Sequence, residues 1–285
     1  MRVEVREFDS PAKNTWCLGC GNFNILAVVK QVMAELVESG DVKSEQIVIS
    51  SGIGCHGKIS DYIKVNSFYC LHGRVVPPLM GMKVGNQRLK VIGFAGDGDA
   101  YDEGVSHLIH TARRNLDATF IVHDNQVFAL TTSQVTPTTP IGFKTKSVPK
   151  GSFESPLNPL HLMLACGATF VARGFTGDIP HLRSLILQAV RHRGFAFIDV
   201  LQHCPSFNPT LEKFKPKVYD LNKEGHNVED FAAALEKAKE WNDRIPIGIF
   251  YQVKKEIYEK QLLGDRLLAE EKPLPSVQSV LQEFM

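Results

Sequence analysis

The stretch 89–99, LKVIGFAGDGD, decides the predicted fold because a continuous apolar run ends in alternating glycine and aspartate. Such a run is typical of a strand buried on both faces of a sheet. Gly96 and Gly98 allow the backbone to approach a ligand closely, and Asp97 and Asp99 supply hard oxygen ligands. The pattern therefore predicts a buried strand that ends at a ligand site.

Four further segments have the same buried character, and helical stretches lie between most of them. An amphipathic pattern over Phe23–Glu38 predicts one of these helices, with Gly40 available to end it. Alternating strands and helices indicate an α/β fold, with a mainly parallel sheet covered by helices on both faces. Ligands of such sheets bind beyond the carboxyl ends of the strands. The four segments are QIVISSGIG, ATFIVHDN, ATFVARGF and FAFIDVLQ.

Composition excludes several classes of protein. The 285 residues are 44% hydrophobic, which is enough for a sizeable core, and 32 Lys and Arg against 31 Asp and Glu leave a net charge of +1. This charge provides no field for binding nucleic acid or an anionic membrane. No apolar run reaches the roughly 18 residues of a membrane span, and MRVEVREF lacks the apolar core of a signal peptide, so we expect a cytoplasmic protein.

The strand ATFIVHDN ends in Asn125, which lies 28 residues after Asp97. The intervening segment EGVSHLIHTARRN reads as a helix that returns the chain to the same edge of the sheet, so one carboxylate and one amide face one pocket. No Gly-Lys-Ser/Thr follows the glycines, which excludes a Walker loop, and the twelve-residue pattern of an EF-hand is absent. Ordinary turn chemistry remains the alternative.

Cys17 and Cys20, in TWCLGCGNF, are compatible with a zinc knuckle, a redox pair or two ligands of an iron-sulfur cluster. Six cysteines are too few for a disulfide scaffold. Cys55 and Cys204 each follow a predicted strand, and those strand ends share one edge of a parallel sheet, so both thiols can meet the other pair there. Buried, inert thiols are expected at the two remaining positions, Cys70 and Cys166.

The spacing of GDG and Asn125 resembles the magnesium-diphosphate signature of thiamine diphosphate enzymes. Matching elements over nearly the full chain resemble the beta subunit of the 2-oxoacid:ferredoxin oxidoreductases. These elements are WCLGCGNF, SGIGCHGKI, LHGR, GDGD, NQVFALT, TPTTP, GFKTKS, FVARGFTGD, GFAFIDVLQHC and PIGIFYQV.

This resemblance implies a fold that binds thiamine diphosphate, Mg²⁺ and one [4Fe-4S] cluster, with coenzyme A as co-substrate. A carboxylate, an amide oxygen and a backbone carbonyl suit the octahedral oxygen coordination of Mg²⁺, and four thiolates suit the cluster. By the resemblance, the magnesium ligands are Asp97, Asn125 and the carbonyl of Val127, and the cluster ligands are Cys17, Cys20, Cys55 and Cys204.

Further residues are assigned by the same resemblance, although a solvated or structural role is the alternative for Lys58, His72 and Arg74. Backbone amides near Ile53 are expected to cradle the diphosphate. The implied cofactor contacts are Ile53, Gly54, Cys55, His72, Arg74, Gly96, Asp97, Gly98, Asp99, Asn125, Val127, Leu130 and Thr131. The implied catalytic residues are Lys58, His72, Leu130 and Thr131.

The implied activity is the CoA-dependent oxidative decarboxylation of a 2-oxoacid, with electrons passed through the cluster to ferredoxin. The run from TPTTPIGFKTKS to LQHC looks most like the 2-oxoglutarate branch, and pyruvate or a branched-chain 2-oxoacid is the alternative substrate. The family's catalytic glutamate belongs to the alpha subunit, so we expect an inactive isolated chain and an α₂β₂ assembly.

We expect a cofactor-binding domain over residues 1–209 and, over 210–285, a charged, helical extension that packs on the partner subunit. Lys213, Lys215 and Lys217 are expected to dock an acidic ferredoxin, although a solvated loop is the alternative. Two other functions remain open from sequence: a non-oxidative thiamine diphosphate decarboxylase subunit, and a zinc-stabilised scaffold or electron-transfer module.

Overall fold

The computed structural model describes residues 3–271, 276 and 281–282. Its strands are β1 (Ile47–Ser51), β2 (Asn66–Tyr69), β3 (Lys90–Gly96), β4 (Ala118–Asp124), β5 (Val127–Phe128), β6 (Gln134–Val135), β7 (Phe170–Phe175), β8 (Phe195–Leu201), β9 (Val218–Asp220) and β10 (Ile245–Gln252). Its α-helices are α1 (Asn22–Glu38), α2 (Ile59–Tyr62), α3 (Val76–Gly85), α4 (Val105–Arg114), α5 (Pro159–Ala165), α6 (Ile179–Arg191), α7 (Leu211–Phe214), α8 (Phe231–Lys239) and α9 (Tyr258–Leu263). Asp99–Glu103 forms a π-helical turn, and short 3-10 turns cover Val5–Phe8, Ser44–Gln46, His56–Lys58 and Leu268–Glu270.

Eight strands form one sheet in the order β2-β1-β3-β4-β8-β7-β10-β9. Neighbouring strands are parallel except for β7 and β10, which are antiparallel, while β5 and β6 form a separate two-stranded ribbon. All five strands predicted from sequence belong to this sheet. The α/β class with a mainly parallel sheet is therefore confirmed.

Helices cover both faces of the sheet and bury an apolar core on each face. Helices α1 and α6 pack on one face, where their apolar side chains join those of β3, β4 and β8. Helices α3, α4, α5 and α8 pack on the opposite face. The predicted helix over Phe23–Glu38 is observed one residue longer, because it begins at the buried Asn22, and Gly40 follows it with a φ of +80°.

The chain after residue 210 contributes strands as well as the helices expected there. Strand β10 pairs with β7 at the edge of the main sheet, and β9 pairs with β10. Residues 272–275, 277–280 and 283–285 of the predicted extension lie outside the described residues, and the boundary at 209/210 stays a prediction. Within the described part of the chain, no helix has the length and apolar character needed to cross a bilayer.

Parallel pairing brings the carboxyl ends of β1, β3, β4 and β8 to one edge of the sheet. The segments that follow these strands are Gly52–Lys58, Asp97–Asp99, Asn125 and Gln202–Cys204. The edge that the sequence predicted as a ligand site therefore carries most of the residues predicted to form it.

Candidate active site

Two adjoining cavities open at this edge of the sheet. The first, the aspartate cavity, contains Asp97 and Asn125, and the second, the cysteine cavity, has a volume of about 190 Å³ and contains the four cysteines predicted as cluster ligands. The cavities share a wall, so a group bound in one lies next to a group bound in the other. The shared wall consists of Asn22, Cys55, Asn125, Ala129 and Leu130.

Asp97 lies at the base of the aspartate cavity with only 2% of its surface exposed. Its Oδ2 accepts hydrogen bonds from the hydroxyls of Thr136 at 2.6 Å and Thr138 at 3.0 Å. Burial raises the pKa of Asp97 to about 7, although the two threonine hydrogen bonds lower it. A buried carboxylate of this kind gains strongly from a bound cation.

Asn125 and Val127 line the same cavity as Asp97. The Oδ1 atom of Asn125 accepts from the backbone N–H of Val127 at 3.0 Å, which orients the amide at the start of β5. An amide oxygen has two lone pairs, so this atom can also bind a cation. With the carboxylate of Asp97, the amide oxygen of Asn125 and the backbone carbonyl of Val127 are ligand types that Mg²⁺ takes in proteins.

A buried charged network lies behind Asp97. Thr138 bridges Asp97 to Oδ1 of Asp124 at 2.8 Å, and Oδ1 of Asp199 accepts from Tyr101 at 2.7 Å. Burial raises the pKa of both Asp124 and Asp199, and Arg173, whose Nε is 3.7 Å from Oδ2 of Asp199, lowers that of Asp199. Three carboxylates near one guanidinium leave this region short of positive charge, which also favours a cation at Asp97.

Asp99 organises a second part of the aspartate cavity. Its carboxylate accepts from Nε2 of His56 at 3.1 Å and from the backbone N–H of Gly73 at 2.6 Å, and Nδ1 of His72 is 3.5 Å away. His72 also donates to the carbonyl of Ile53 at 3.0 Å. The loops after β1 and β2 are thereby tied to the loop after β3.

Gly98 occupies a position that admits no side chain. A Cβ atom there would lie 2.1 Å from the ring of Phe128, which itself lines the cavity. The glycine thus lets the backbone after β3 pass directly beneath the cavity.

Two buried side chains present unsatisfied polar atoms in this region. His123 and Asn22 are each 1% exposed, and Nδ1 of His123 donates to Oδ1 of Asn22 at 2.8 Å. Burial holds the pKa of His123 well below its usual range, so its ring is neutral. Nε2 of His123 and Nδ2 of Asn22 have no partner among the described residues. Because buried polar atoms are normally paired, both are suited to contact a bound group in the cavities they line.

The cysteine cavity is closed by contacts between distant segments. Nε2 of His203 donates to the carbonyl of Gly19 at 2.6 Å, which anchors the turn between Cys17 and Cys20 beside Cys204. The indole N–H of Trp16 donates to the carbonyl of Cys55 at 2.6 Å. These bonds bring the four thiols together, whereas Cys70 and Cys166 line neither cavity.

The four thiols differ in exposure. Cys20 and Cys204 are buried, Cys55 is partly buried and Cys17 is exposed. Burial raises the pKa of Cys20 to about 11 and also raises that of Cys55. Thiols that burial keeps protonated ionise readily when they bind iron, because the metal stabilises the thiolate.

The remaining predicted residues fall into two groups. Ile53, Gly54, His72, Gly96, Leu130 and Thr131 line the aspartate cavity, where Leu130 and Thr131 are exposed. Lys58 lines the cysteine cavity instead and donates to Thr15 at 3.0 Å. Arg74 lies outside both cavities, because its guanidinium donates to the carbonyl of Glu103 at 2.9 Å. The catalytic and binding roles assigned to all of these residues stay predictions.

The geometry fits the groups implied by the sequence. No three acidic, histidine or cysteine side chains among the described residues are placed to hold a single metal ion. The magnesium set needs only one such side chain, and each cysteine of a [4Fe-4S] cluster binds a different iron, so neither implied site requires that arrangement. The four thiols of one cavity and the oxygen set of the other supply the ligand chemistry that the two groups need.

Several residues of the site were not predicted from sequence. His56, His123 and Asn22 line the aspartate cavity, and Thr136 and Thr138 fix Asp97. His56 could have been predicted as a site residue, because it directly follows a predicted cluster cysteine and lies in a segment already expected to contact the cofactor. His123 was hidden near the end of a mostly apolar strand.

Two family models match the chain. Residues 52–200 match the thiamine pyrophosphate enzyme, C-terminal TPP binding domain, and residues 204–264 match the C-terminal family of the pyruvate ferredoxin oxidoreductase beta subunit. The first match covers most of the main sheet, from the end of β1 to β8, and includes Asp97 and Asn125. The second begins at Cys204.

Relatives match most of the chain. The 2-oxoacid:ferredoxin oxidoreductase subunit beta of Saccharolobus solfataricus is 43% identical over 253 residues, covering 84% of this chain and 82% of that protein. The 2-oxoglutarate synthase subunit KorB of Archaeoglobus fulgidus is 37% identical over 246 residues, 86% of each chain. Among solved structures, the 2-oxoglutarate:ferredoxin oxidoreductase from Magnetococcus marinus, with 2-oxoglutarate, coenzyme A and succinyl-CoA bound, superposes with a TM-score of 0.89 at 31% identity, covering 98% of this chain and 95% of that one.

Proposed function

This chain belongs to the beta subunits of the 2-oxoacid:ferredoxin oxidoreductases, and we propose that it carries thiamine diphosphate, Mg²⁺ and one [4Fe-4S] cluster in the CoA-dependent oxidation of a 2-oxoacid. The reaction converts a 2-oxoacid, coenzyme A and two oxidised ferredoxins into acyl-CoA, CO₂, a proton and two reduced ferredoxins. The shared wall between the aspartate and cysteine cavities is the observation that carries this proposal. Such a wall suits a cofactor that releases electrons next to a cluster that accepts them.

The chain's own residues supply position and electrostatics. Asp97, Asn125 and the carbonyl of Val127 would hold Mg²⁺ against the diphosphate, and the four cysteines would hold the cluster. When bound, thiamine diphosphate supplies a sink for the electron pair that CO₂ leaves behind. Nδ2 of Asn208 donates to the carbonyl of Asn125 at 3.0 Å, so the loop that carries Cys204 is fixed to the proposed magnesium site.

The proposed substrate is 2-oxoglutarate, which gives succinyl-CoA. Support comes from the relatives named 2-oxoglutarate synthase subunit KorB and from the bound ligands named for the Magnetococcus marinus enzyme. Thr131 lines the aspartate cavity, and Thr131, Thr132 and Ser133 are proposed to face the distal end of the substrate. Their side chains are polar, which suits a second carboxylate better than the methyl group of pyruvate.

The proposed partners are the alpha subunit, in an α₂β₂ assembly, and ferredoxin as electron acceptor. The aspartate cavity contains no glutamate among the described residues that line it, whereas thiamine diphosphate needs a glutamate at its aminopyrimidine end. An alpha chain that supplies this acid would complete the site. The isolated chain is therefore expected to be inactive.

The test is to co-express the chain with its alpha subunit under anoxia and to measure CoA-dependent viologen reduction with 2-oxoglutarate, pyruvate and branched-chain 2-oxoacids. We expect bound iron and sulfide, and the highest kcat/KM for 2-oxoglutarate. CO₂ release without iron or viologen reduction would indicate a non-oxidative decarboxylase. Bound zinc without thiamine diphosphate would overturn the enzymatic proposal.

A further inference from the structure

Two side chains from the segment around Cys204 donate hydrogen bonds to the other cysteines of the cavity. Nε2 of Gln202 lies 3.5 Å from Sγ of Cys20, and Oγ of Ser206 lies 3.3 Å from Sγ of Cys17. Both distances are within the range of hydrogen bonds to sulfur. The segment that carries one predicted cluster ligand thus contacts two others, which lie more than 180 residues earlier in the chain.

The position of Gln202 is tightly fixed. The residue is 1% exposed, its backbone N–H donates to the carbonyl of Asp124 at 2.9 Å, and its Nε2 also donates to the carbonyl of His203. Gly21 makes room for it, because a Cβ atom on Gly21 would lie 2.9 Å from Cγ of Gln202. The side chain of Gln202 is therefore held at the cysteine cavity by the backbone carbonyls of Asp124 and His203.

Among the described residues, the side-chain amide of Gln202 is partnered only through its nitrogen. The Oε1 atom of Gln202 has no partner among the described residues, and it is buried. The amide of Gln202 is thus held in place chiefly by the hydrogen bonds that its nitrogen donates to Sγ of Cys20 and to the carbonyl of His203.

We infer that Gln202 and Ser206 tune the reduction potential of the cluster by donating hydrogen bonds to Cys20 and Cys17. Reduction adds an electron to a negatively charged cluster, and donors to its ligand sulfurs stabilise that extra charge. The two donors should therefore raise the potential and favour electron transfer from the aspartate cavity into the cluster. This inference rests on the proposed function, because it requires a cluster on the four cysteines.

The test uses the complex with the alpha subunit, purified under anoxia, and compares Gln202→Leu, Gln202→Glu and Ser206→Ala with the wild type. Gln252→Leu, in β10 and outside both cavities, is the matched control. The midpoint potential of the cluster is measured by redox titration followed by electron paramagnetic resonance, alongside iron and sulfide content. This readout does not depend on turnover.

We expect Gln202→Leu to make cluster reduction roughly tenfold less favourable, which is a shift of about 59 mV to more negative potential for one electron. Gln202→Glu should shift it further in the same direction, because a carboxylate repels the added electron, and Ser206→Ala should shift it less, since Ser206 is exposed. Gln252→Leu should leave it unchanged.

The direction of the shift separates this role from a structural one. A variant that merely admits water would raise the potential, because water also stabilises the reduced cluster. An unchanged or raised potential in Gln202→Leu would overturn the inference. If that variant loses its cluster, the potential of Ser206→Ala decides instead, and an unchanged or raised value there would overturn the inference. A wild-type complex without iron and sulfide would overturn the proposed function as well, whereas a cluster insensitive to these variants would overturn the inference alone.

Discussion

The hydroxyl of Thr136 donates to Oδ2 of Asp97 at 2.6 Å, although 39 residues separate the two in sequence. Thr136 directly follows β6, in the long connection to α5 that is rich in Thr, Pro, Ser and Gly. The structure shows that this loop fixes the carboxylate proposed to bind Mg²⁺. Donors to a carboxylate favour its ionised form, which is the form that binds a cation.

We predict that Thr136→Val weakens Mg²⁺ binding to the cofactor-loaded complex roughly tenfold. The change removes one hydrogen bond to a charged group, worth about 1.5–3 kcal/mol, while the bond from Thr138 remains. Titration of Mg²⁺ by calorimetry checks this. Thr136→Ser keeps the hydroxyl and should bind normally, and Thr145→Val, which removes a threonine hydroxyl from another part of the loop, should also leave the affinity unchanged. Equal affinities for Thr136→Val and the wild type would contradict the prediction.

Strands β1, β3, β4, β7 and β8 could be predicted because each is mostly apolar and buried along nearly its whole length, and the parallel connections place their carboxyl ends at one edge. The same reasoning anticipated that Cys55 and Cys204 would meet. Strand β2 escaped prediction because its four residues are all exposed at the sheet edge and carry no burial pattern. Strand β10 lies in a charged region where the helical signals of α8 and α9 dominated.

The fine structure of the site could not be predicted because it depends on side chains that converge only after folding. Thr138 reaches both Asp97 and Asp124 from a loop without periodicity. Ser206 lies in no matching element and Gln202 was noticed only as part of GFAFIDVLQHC, and their proximity to two of the cavity cysteines follows from how the loop after β8 folds back. Sequence spacing therefore predicts which ligands share one edge of the sheet, whereas the residues that orient those ligands can be identified only in the folded structure.

We predict that replacing any of the four cavity cysteines with serine removes most of the iron and sulfide from the complex. Each thiolate binds one iron, so the loss of one leaves that iron without its protein ligand. Cys166→Ser is the matched control, because Cys166 is partly exposed and lies outside both cavities. Iron and sulfide analysis after anaerobic purification checks the outcome. Full iron content in Cys204→Ser would refute the proposed ligand set.

We predict that His192 makes the chain less stable in mild acid. Burial lowers the pKa of His192 to about 4, because its ring is enclosed beside Thr169 and Phe170, and nearby Asp117 only partly offsets this. The unfolded chain, with a histidine pKa near 6.5, binds the proton more readily, so stability is complete above about pH 6.5 and falls as the pH decreases toward 4.

The expected loss from His192 is about 2 kcal/mol in the free energy of unfolding between pH 7.5 and pH 5. Urea unfolding of the wild type and of His192→Gln at both pH values measures it. The variant should lose less stability than the wild type over this range, whereas His110→Gln, at an exposed position on α4, should behave like the wild type. An identical pH dependence for the wild type and His192→Gln would contradict the assignment.

The lysines that follow the Cys204 loop provide the last prediction. Lys213 and Lys215 are exposed at α7, whereas Nζ of Lys217 donates to the carbonyl of Asn242 at 2.6 Å and is held at the surface by that bond. The docking role of all three lysines stays a prediction, and Lys213 and Lys215, whose side chains make no such bond to the backbone of the described residues, are the pair chosen for the test. An acidic ferredoxin would be steered toward such charges, and steering of this kind weakens as salt screens it.

We predict that the double variant Lys213→Glu/Lys215→Glu lowers the second-order rate constant for ferredoxin reduction roughly tenfold at low ionic strength. The control Lys254→Glu/Lys255→Glu changes the net charge by the same amount at two exposed positions after β10. If whole-protein charge alone set the rate, both variants would slow it equally. If only Lys213→Glu/Lys215→Glu slows ferredoxin reduction, if this effect disappears at high salt, and if viologen reduction is unchanged in both variants, the docking site lies beside the cluster. Equal rates for the two variants would exclude a docking role for Lys213 and Lys215.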